Sequence, residues 1–211
     1  MRDVTKDPIQ KTKVAIIGAG FGGLAMAIRL LQSQINDFVI LEKTNDVGGT
    51  WRENQYPGAA CDVQSHMYSL SFAPKTDWSK RYAEADEIFT YIQDITEQYK
   101  LKDYCKFNHE VIHAQFDENR NVWTVEFKDQ PTLEAQFVIF ASGPLHVPQI
   151  PHIKGIEKFK GKVFHSSKWE HDYDLSGKSV ASIGTGGSAI QYIPEIAPEV
   201  KQLYVFQRTA A

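Results

Sequence analysis

Gly18, Gly20 and Gly23 stand at G-x-G-x-x-G spacing directly after the apolar run Val14-Ala15-Ile16-Ile17, and Glu42 follows 24 residues past Gly18. These residue types at this spacing suit the pyrophosphate of a dinucleotide. Gly18 permits a tight turn, Gly20 leaves no Cβ in the way of a phosphate, and Gly23 lets the next helix lie close on the strand. The start of that helix offers unpaired N–H groups and the positive end of its dipole. Glu42 ends a second apolar run, Phe38-Val39-Ile40-Leu41, and can accept hydrogen bonds from ribose hydroxyls.

The pattern returns near the other end of the chain. Gly184-Thr185-Gly186-Gly187-Ser188-Ala189 follows the run Ser179–Ile183, with alanine in the last small position, and Arg208 lies 24 residues past Gly184. The equal offsets predict that Glu42 and Arg208 occupy the same spot beside an adenosine ribose. A carboxylate there suits free hydroxyls and repels a phosphate, whereas a guanidinium suits a 2′-phosphate, with about 1.5–3 kcal/mol from a charge-assisted bond. The first site is therefore expected to hold FAD and the second NADPH.

The elements that must position these residues follow from hydrophobic spacing. Residues 1–12 are polar and read as a loose arm. A strand–helix–strand unit covers 13–42, its helix running roughly from Gly22 to Gln34 with Leu24, Ala27, Ile28 and Leu31 at helical intervals. Its strands are continuous apolar runs, as in a parallel sheet buried on both faces. A long glycine-rich, aromatic loop follows, carrying Gly48, Gly49, Thr50, Trp51, Gly58 and Asp62; loops of this length in a compact domain are commonly functional. An amphipathic helix is predicted over 85–100, and Val111–Phe116 and Val122–Phe127 read as a meander with one wet face. Phe137–Phe140 reads as a return to the parallel sheet, and Pro144, Pro148 and Pro151 mark a stiff linker.

The expected fold is α/β, a flavoprotein with two dinucleotide-binding domains: parallel Rossmann-like sheets, an inserted antiparallel meander, and an incomplete second domain. The expected domains are 1–145 for FAD (meander about 107–135), a linker over 146–175, and the start of the NADPH domain over 176–211.

Composition narrows the function classes. The 211 residues carry a formal net charge of −3, without the basic footprint of a nucleic-acid partner. Cys61 and Cys105 form no C-x-x-C pair and no disulfide framework, which disfavours a disulfide reductase and points to a reducing cytoplasm. The seven histidines do not cluster at metal spacing, so no metal site is expected. The apolar run near the N-terminus resembles a signal peptide only superficially. It is too glycine-rich and too short for a membrane span.

The stretch Phe159-Lys160-Gly161-Lys162-Val163-Phe164-His165-Ser166-Ser167-Lys168-Trp169 fits F-x-G-x-x-x-H-x-x-x-W between the two glycine turns. With these three motifs in this order, the chain from about Val14 onward resembles the Baeyer–Villiger monooxygenases, of the class B flavoprotein monooxygenases. Related N- and S-oxygenating flavoproteins carry a similar histidine motif but usually lack its tryptophan. Position 170 is Glu, where the family commonly has Pro or Asp.

The resemblance implies FAD contacts from Gly18, Gly20, Gly22, Gly23, Glu42 and Lys43, from Gly49, Thr50, Trp51, Arg52 and Glu53, and from Asp62, Tyr68, Val111 and Ala141. Ala60, Cys61 and Asp62 would border the nicotinamide. Gly184, Thr185, Gly186, Gly187, Ser188, Ala189, Ile190, Arg208 and Thr209 would hold NADPH.

The implied reaction inserts one oxygen atom from O2 into a ketone through a flavin peroxide, giving an ester or lactone. The implied alternatives are oxygenation of a thioether or amine, or a FAD-binding piece without turnover. Asp62 is the catalytic candidate, orienting an arginine expected from the family outside this chain. His165 is expected to couple the linker to the sheet, and Trp169 to pack under it. The resemblance further implies an N-terminal part of a longer oxygenase, one that binds without turning over when taken alone.

Overall fold

A computed structural model describes residues 10–145 and 147–209. It divides into two compact units: residues up to Gly49 with Thr90–Pro144, and Thr50–Phe89 with the residues from Leu145 onward.

The first unit is built on one six-stranded mixed sheet. Its strands are β1 (Gln10–Ile17), β2 (Phe38–Leu41), β3 (Cys105–Lys106), β4 (Val111–Asp117), β5 (Val122–Phe127) and β6 (Leu133–Phe140), in the spatial order β3-β2-β1-β6-β5-β4. β2, β1 and β6 run parallel, with Ile17 opposite both Leu41 and Phe140. β6 also pairs antiparallel with β5 through Val125↔Leu133 and Trp123↔Ala135. The meander is thus continuous with the parallel sheet, because the run read as Phe137–Phe140 begins four residues earlier at Leu133 and serves both neighbours. β1 likewise starts before the expected boundary. Gln10, Lys11 and Thr12 pair with Leu133, Glu134 and Ala135, so this end of the predicted arm is strand. The rest of the arm lies outside the described residues.

Helix α1 (Phe21–Gln32) buries Gly23, Leu24, Ala27 and Ile28. Helix α2 (Ala85–Gln98) buries Ile88, Ile92 and Ile95 at the spacing of one face. All four residues of β2 are buried, as a doubly covered parallel strand requires. β6 returns to the parallel sheet as expected but is less covered than β2, with Phe137 and Phe140 58% and 63% exposed.

The second unit contains a two-stranded parallel sheet, β7 (Ser179–Ile183) and β8 (Gln202–Phe206), joined by helix α3 (Gly187–Ile196). Residues 50–84 carry a single helical turn at Thr50–Glu53 and a 3-10 turn at Ser65–Met67. A further 3-10 turn occupies Ser166–Lys168.

Candidate functional site: two nucleotide cradles

The first cradle opens where β1 ends. Gly18 adopts φ +107° and donates its N–H to the carbonyl of Leu41 at 2.8 Å. A Cβ on Gly18 would lie 2.5 Å from the carbonyl oxygen of Ala141, and one on Gly23 would lie 1.9 Å from that of Gly18. Both glycines are therefore required by close backbone approach, as their spacing predicts. Gly48 donates to Ala19 O at 3.0 Å, and a Cβ on Gly49 would lie 3.0 Å from the Gly20 Cα. The structure so gathers Gly18, Gly20, Gly23, Gly49 and Ala141 at one turn, with Gly22 exposed beside them. Gly20 caps α1 without a side chain, and the first turn holds no acidic residue. The end of the helix dipole is left to an anion, which fits a dinucleotide pyrophosphate.

Glu42 is buried, 7% exposed, and mostly committed to the protein. Its Oε2 accepts from the N–H of Ala19 at 2.9 Å, and its Oε1 from the N–H and hydroxyl of Thr44 at 2.9 and 2.8 Å. A carboxylate offers about four acceptor positions. Three are filled, so Glu42 holds the glycine turn in place and one acceptor position, on Oε2, is left over. Lys43 is exposed. His109 donates its N–H to Glu42 O at 2.9 Å, bringing the segment that leads into Val111 alongside.

In the second unit, Trp51 is buried and donates from Nε1 to the Tyr68 hydroxyl at 3.0 Å, with the two rings edge to face at 5.7 Å. Burial pushes the Tyr68 phenol up. Glu53 pairs with Arg52 at 3.3 Å and with Lys168 at 2.6 Å, linking the Thr50–Glu53 turn to the histidine–tryptophan motif. Cys61 is buried and Asp62 exposed. Burial raises the Cys61 thiol, and burial together with Glu42 and Asp46 pushes Cys105 up to about 12. Neither is the low-pKa thiolate that disulfide exchange needs. Both are free, and they lie in different units.

The second cradle repeats the first in outline. Gly184 has φ +105° and donates to Phe206 O at 2.9 Å, matching the bond from Gly18 to Leu41. Gly186 caps α3 without a side chain, and the first turn again holds no acid. Thr185 and Ser188 are half-buried, Ala189 is buried and Ile190 is 67% exposed. Arg208 and Thr209 are exposed.

One expectation is corrected by the strand register. Ile17 faces Leu41, but Ile183 faces Phe206, so the second unit reaches the end of its strand in one residue fewer. Glu42 directly follows Leu41, and the residue that directly follows Phe206 is Gln207. Arg208 therefore stands one residue beyond the place of Glu42, alongside that of Lys43. Equal counting from the glycines hid the difference because the two connections differ in length. The contrast between the cradles becomes a carboxylate replaced by a neutral amide, with a guanidinium next to it. Counting from the strand ends would have identified Gln207.

His165 Nδ1 accepts from the N–H of Ser167 at 3.1 Å and pairs with the Ser167 hydroxyl at 2.9 Å. The imidazole thus caps the Ser166–Lys168 turn, as an Asn or Asp would. Trp169 packs on Phe164 at 5.2 Å and on Tyr192 of α3 at 5.3 Å. The Tyr192 hydroxyl in turn meets the Ser182 hydroxyl at 2.7 Å. The motif locks the linker onto the second cradle.

Two parallel strand–glycine turn–helix–strand units in one chain define a two-nucleotide oxidoreductase scaffold. Residues 15–211 match the family described as pyridine nucleotide-disulphide oxidoreductase, and the chain belongs to that family. A Baeyer–Villiger monooxygenase of Streptomyces coelicolor is 48% identical over 202 residues, covering 96% of this chain and 39% of the relative. Among solved structures, an oxidized steroid monooxygenase bound to NADP is 39% identical with a TM-score of 0.88, over 95% of this chain and 39% of that one. The OTEMO complex with FAD and NADP is 36% identical, also at 0.88, over 94% and 39%. The chain thus spans about two-fifths of the length of these relatives.

Proposed function

We propose that this chain supplies the FAD-binding and NADPH-binding cradles of a monooxygenase that inserts one atom of O2 into a ketone to give an ester or lactone. The observation that carries this reading is the pair of glycine turns, alike in φ, strand bond and uncapped helix start, whose second strands end differently: Glu42 in one, Gln207 and Arg208 in the other. FAD, when bound, supplies the hydride acceptor and the oxygen chemistry.

The chain's own residues bind and orient. Gly18, Gly20 and Gly49 keep the first turn open to a pyrophosphate, and Glu42 holds that turn while accepting from a ribose hydroxyl. Gly184–Ser188 cradle the second pyrophosphate, Gln207 removes the charge that would repel a 2′-phosphate, and Arg208 pairs with it. The Ala60–Asp62 segment borders the nicotinamide, and Asp62 orients a cationic group beside the flavin.

The names of the relatives and their bound FAD and NADP support this assignment. The tryptophan that closes the histidine motif, Trp169, which the similar N- and S-oxygenating flavoproteins usually lack, favours a ketone over a thioether or amine as the oxygen acceptor. Two free thiols support a reducing cytoplasm. Among the described residues no helix is long and apolar enough to cross a membrane.

The test is the visible spectrum of the flavin-loaded whole protein, titrated with NADPH under argon and then exposed to air with a cyclic ketone or a thioether. Bleaching by NADPH, recovery in air and formation of a lactone are expected. A spectrum indifferent to NADPH, or oxidation of the thioether alone, would contradict the reading.

A further inference from the structure

Residues 59–61 run as a short extended segment between two sets of partners. On one side, Ala59 O accepts from the N–H of Ala85 at 2.8 Å and Cys61 donates its N–H to Ala83 O at 2.9 Å, an antiparallel bridge. In an extended chain, alternate residues turn their N–H and C=O to opposite sides. The N–H and C=O of Ala60 therefore point away from that bridge, where a half-buried backbone needs another partner.

One side chain supplies both bonds. Gln191 Nε2 donates to Ala60 O at 2.9 Å, and Gln191 Oε1 accepts from the Ala60 N–H at 3.4 Å. The same Oε1 accepts from the Tyr56 hydroxyl at 2.9 Å. Gly58, at φ +73°, lies against the same turn of helix: a Cβ there would sit 2.9 Å from Gln191 O and 2.8 Å from the Glu195 side chain. Tyr56, Gly58 and Ala60 thus grip one turn of α3, a single turn past the glycines that open it.

We propose that Gln191 is a positioning residue for hydride transfer, its amide fixing the Ala60–Asp62 main chain to the helix whose first turn seats the nicotinamide dinucleotide. Placing the pyrophosphate and placing the 60–62 segment are then one event. This rests on the proposed function above, which puts the nicotinamide beside Ala60–Asp62. Glutamine suits this position because it both donates and accepts. A carboxylate offers no donor to Ala60 O, and an apolar side chain of equal length satisfies neither group.

The experiment is anaerobic stopped-flow bleaching of the flavin-loaded whole protein by NADPH. In Gln191→Leu the rate at saturating NADPH is expected to fall about tenfold, while the NADPH dissociation constant shifts by less than about threefold. Tyr56→Phe, which leaves the amide pair intact, is expected to stay within about twofold of the unsubstituted rate. A tether that is merely structural would lower flavin occupancy or the melting temperature and leave the saturated rate unchanged; that result overturns the proposal. Where Gln191→Leu does not retain flavin, the isosteric Gln191→Glu supplies the same comparison, and an unchanged saturated rate overturns the proposal there too. An unsubstituted protein that stays yellow under NADPH overturns the functional reading and this proposal with it.

Discussion

Gly23 lies so close to Gly18 that a single added carbon on the former would sit 1.9 Å from the latter's carbonyl oxygen. No rotamer relieves that clash, because both atoms belong to the backbone or its first carbon. Gly23→Ala must push α1 off the end of β1 and spoil the turn between them. The expected cost is about 1–3 kcal/mol, seen as a fall in melting temperature of about 2–4 °C for each kcal/mol. Weaker FAD retention is expected with it. Thermal unfolding with and without added FAD checks both, and an unchanged melting temperature would contradict the packing described.

Glu42 makes a second prediction, which separates its two duties. Glu42→Gln keeps the shape but turns an amide NH2 toward either the Ala19 N–H or the N–H and hydroxyl of Thr44. Donor then faces donor whichever way the amide is set. The loss is expected to be about 1.5–3 kcal/mol even without nucleotide, since the bonds are to a charged group. A urea midpoint unchanged in the flavin-free protein would mean that Glu42 serves only the ligand.

Much of this arrangement was legible in the sequence. The apolar run into Gly18, the helix after it and the buried β2 follow from local spacing, and Gly18 and Gly23 occupy the tight positions that their motif requires. What escaped was set by distance and by register. Gln191 meets Ala60 across 131 residues, and no periodicity links them. Gln207 was hidden because an offset counted from glycine ignores that the second connection is one residue shorter. β6 read as a short parallel strand because only its last four residues are uninterrupted apolar; Glu134 and Gln136 broke the pattern in the part that joins the meander.

Acid should reveal the clamp at the edge of that meander. Arg120 pairs with Glu134 at 2.5 Å and Lys11 approaches the same carboxylate at 3.6 Å. The hydrogen bond from Arg120, with its charge, holds the Glu134 carboxyl below the usual carboxylate range. A folded-state pKa below the unfolded one gives stability that is present above about pH 4.3 and is lost as pH falls through the lower, folded value. Arg120→Ala is therefore expected to lower the melting temperature at pH 7 and to change it little at the acid end of the folded range. Equal losses at both pH values would show that the arginine acts through packing alone.

The central claim is that the two cradles differ in the charge offered to the adenosine ribose. It is tested most directly by the ratio of NADH to NADPH dissociation constants, measured on the flavin-loaded whole protein and on its Gln207→Glu and Arg208→Ala variants. The unsubstituted protein is expected to prefer NADPH by about 1.5–3 kcal/mol, roughly ten- to hundredfold, and each substitution to erase most of that preference by weakening NADPH and not NADH. Equal affinity for the two nucleotides in the unsubstituted protein, or a preference untouched by both substitutions, would contradict it.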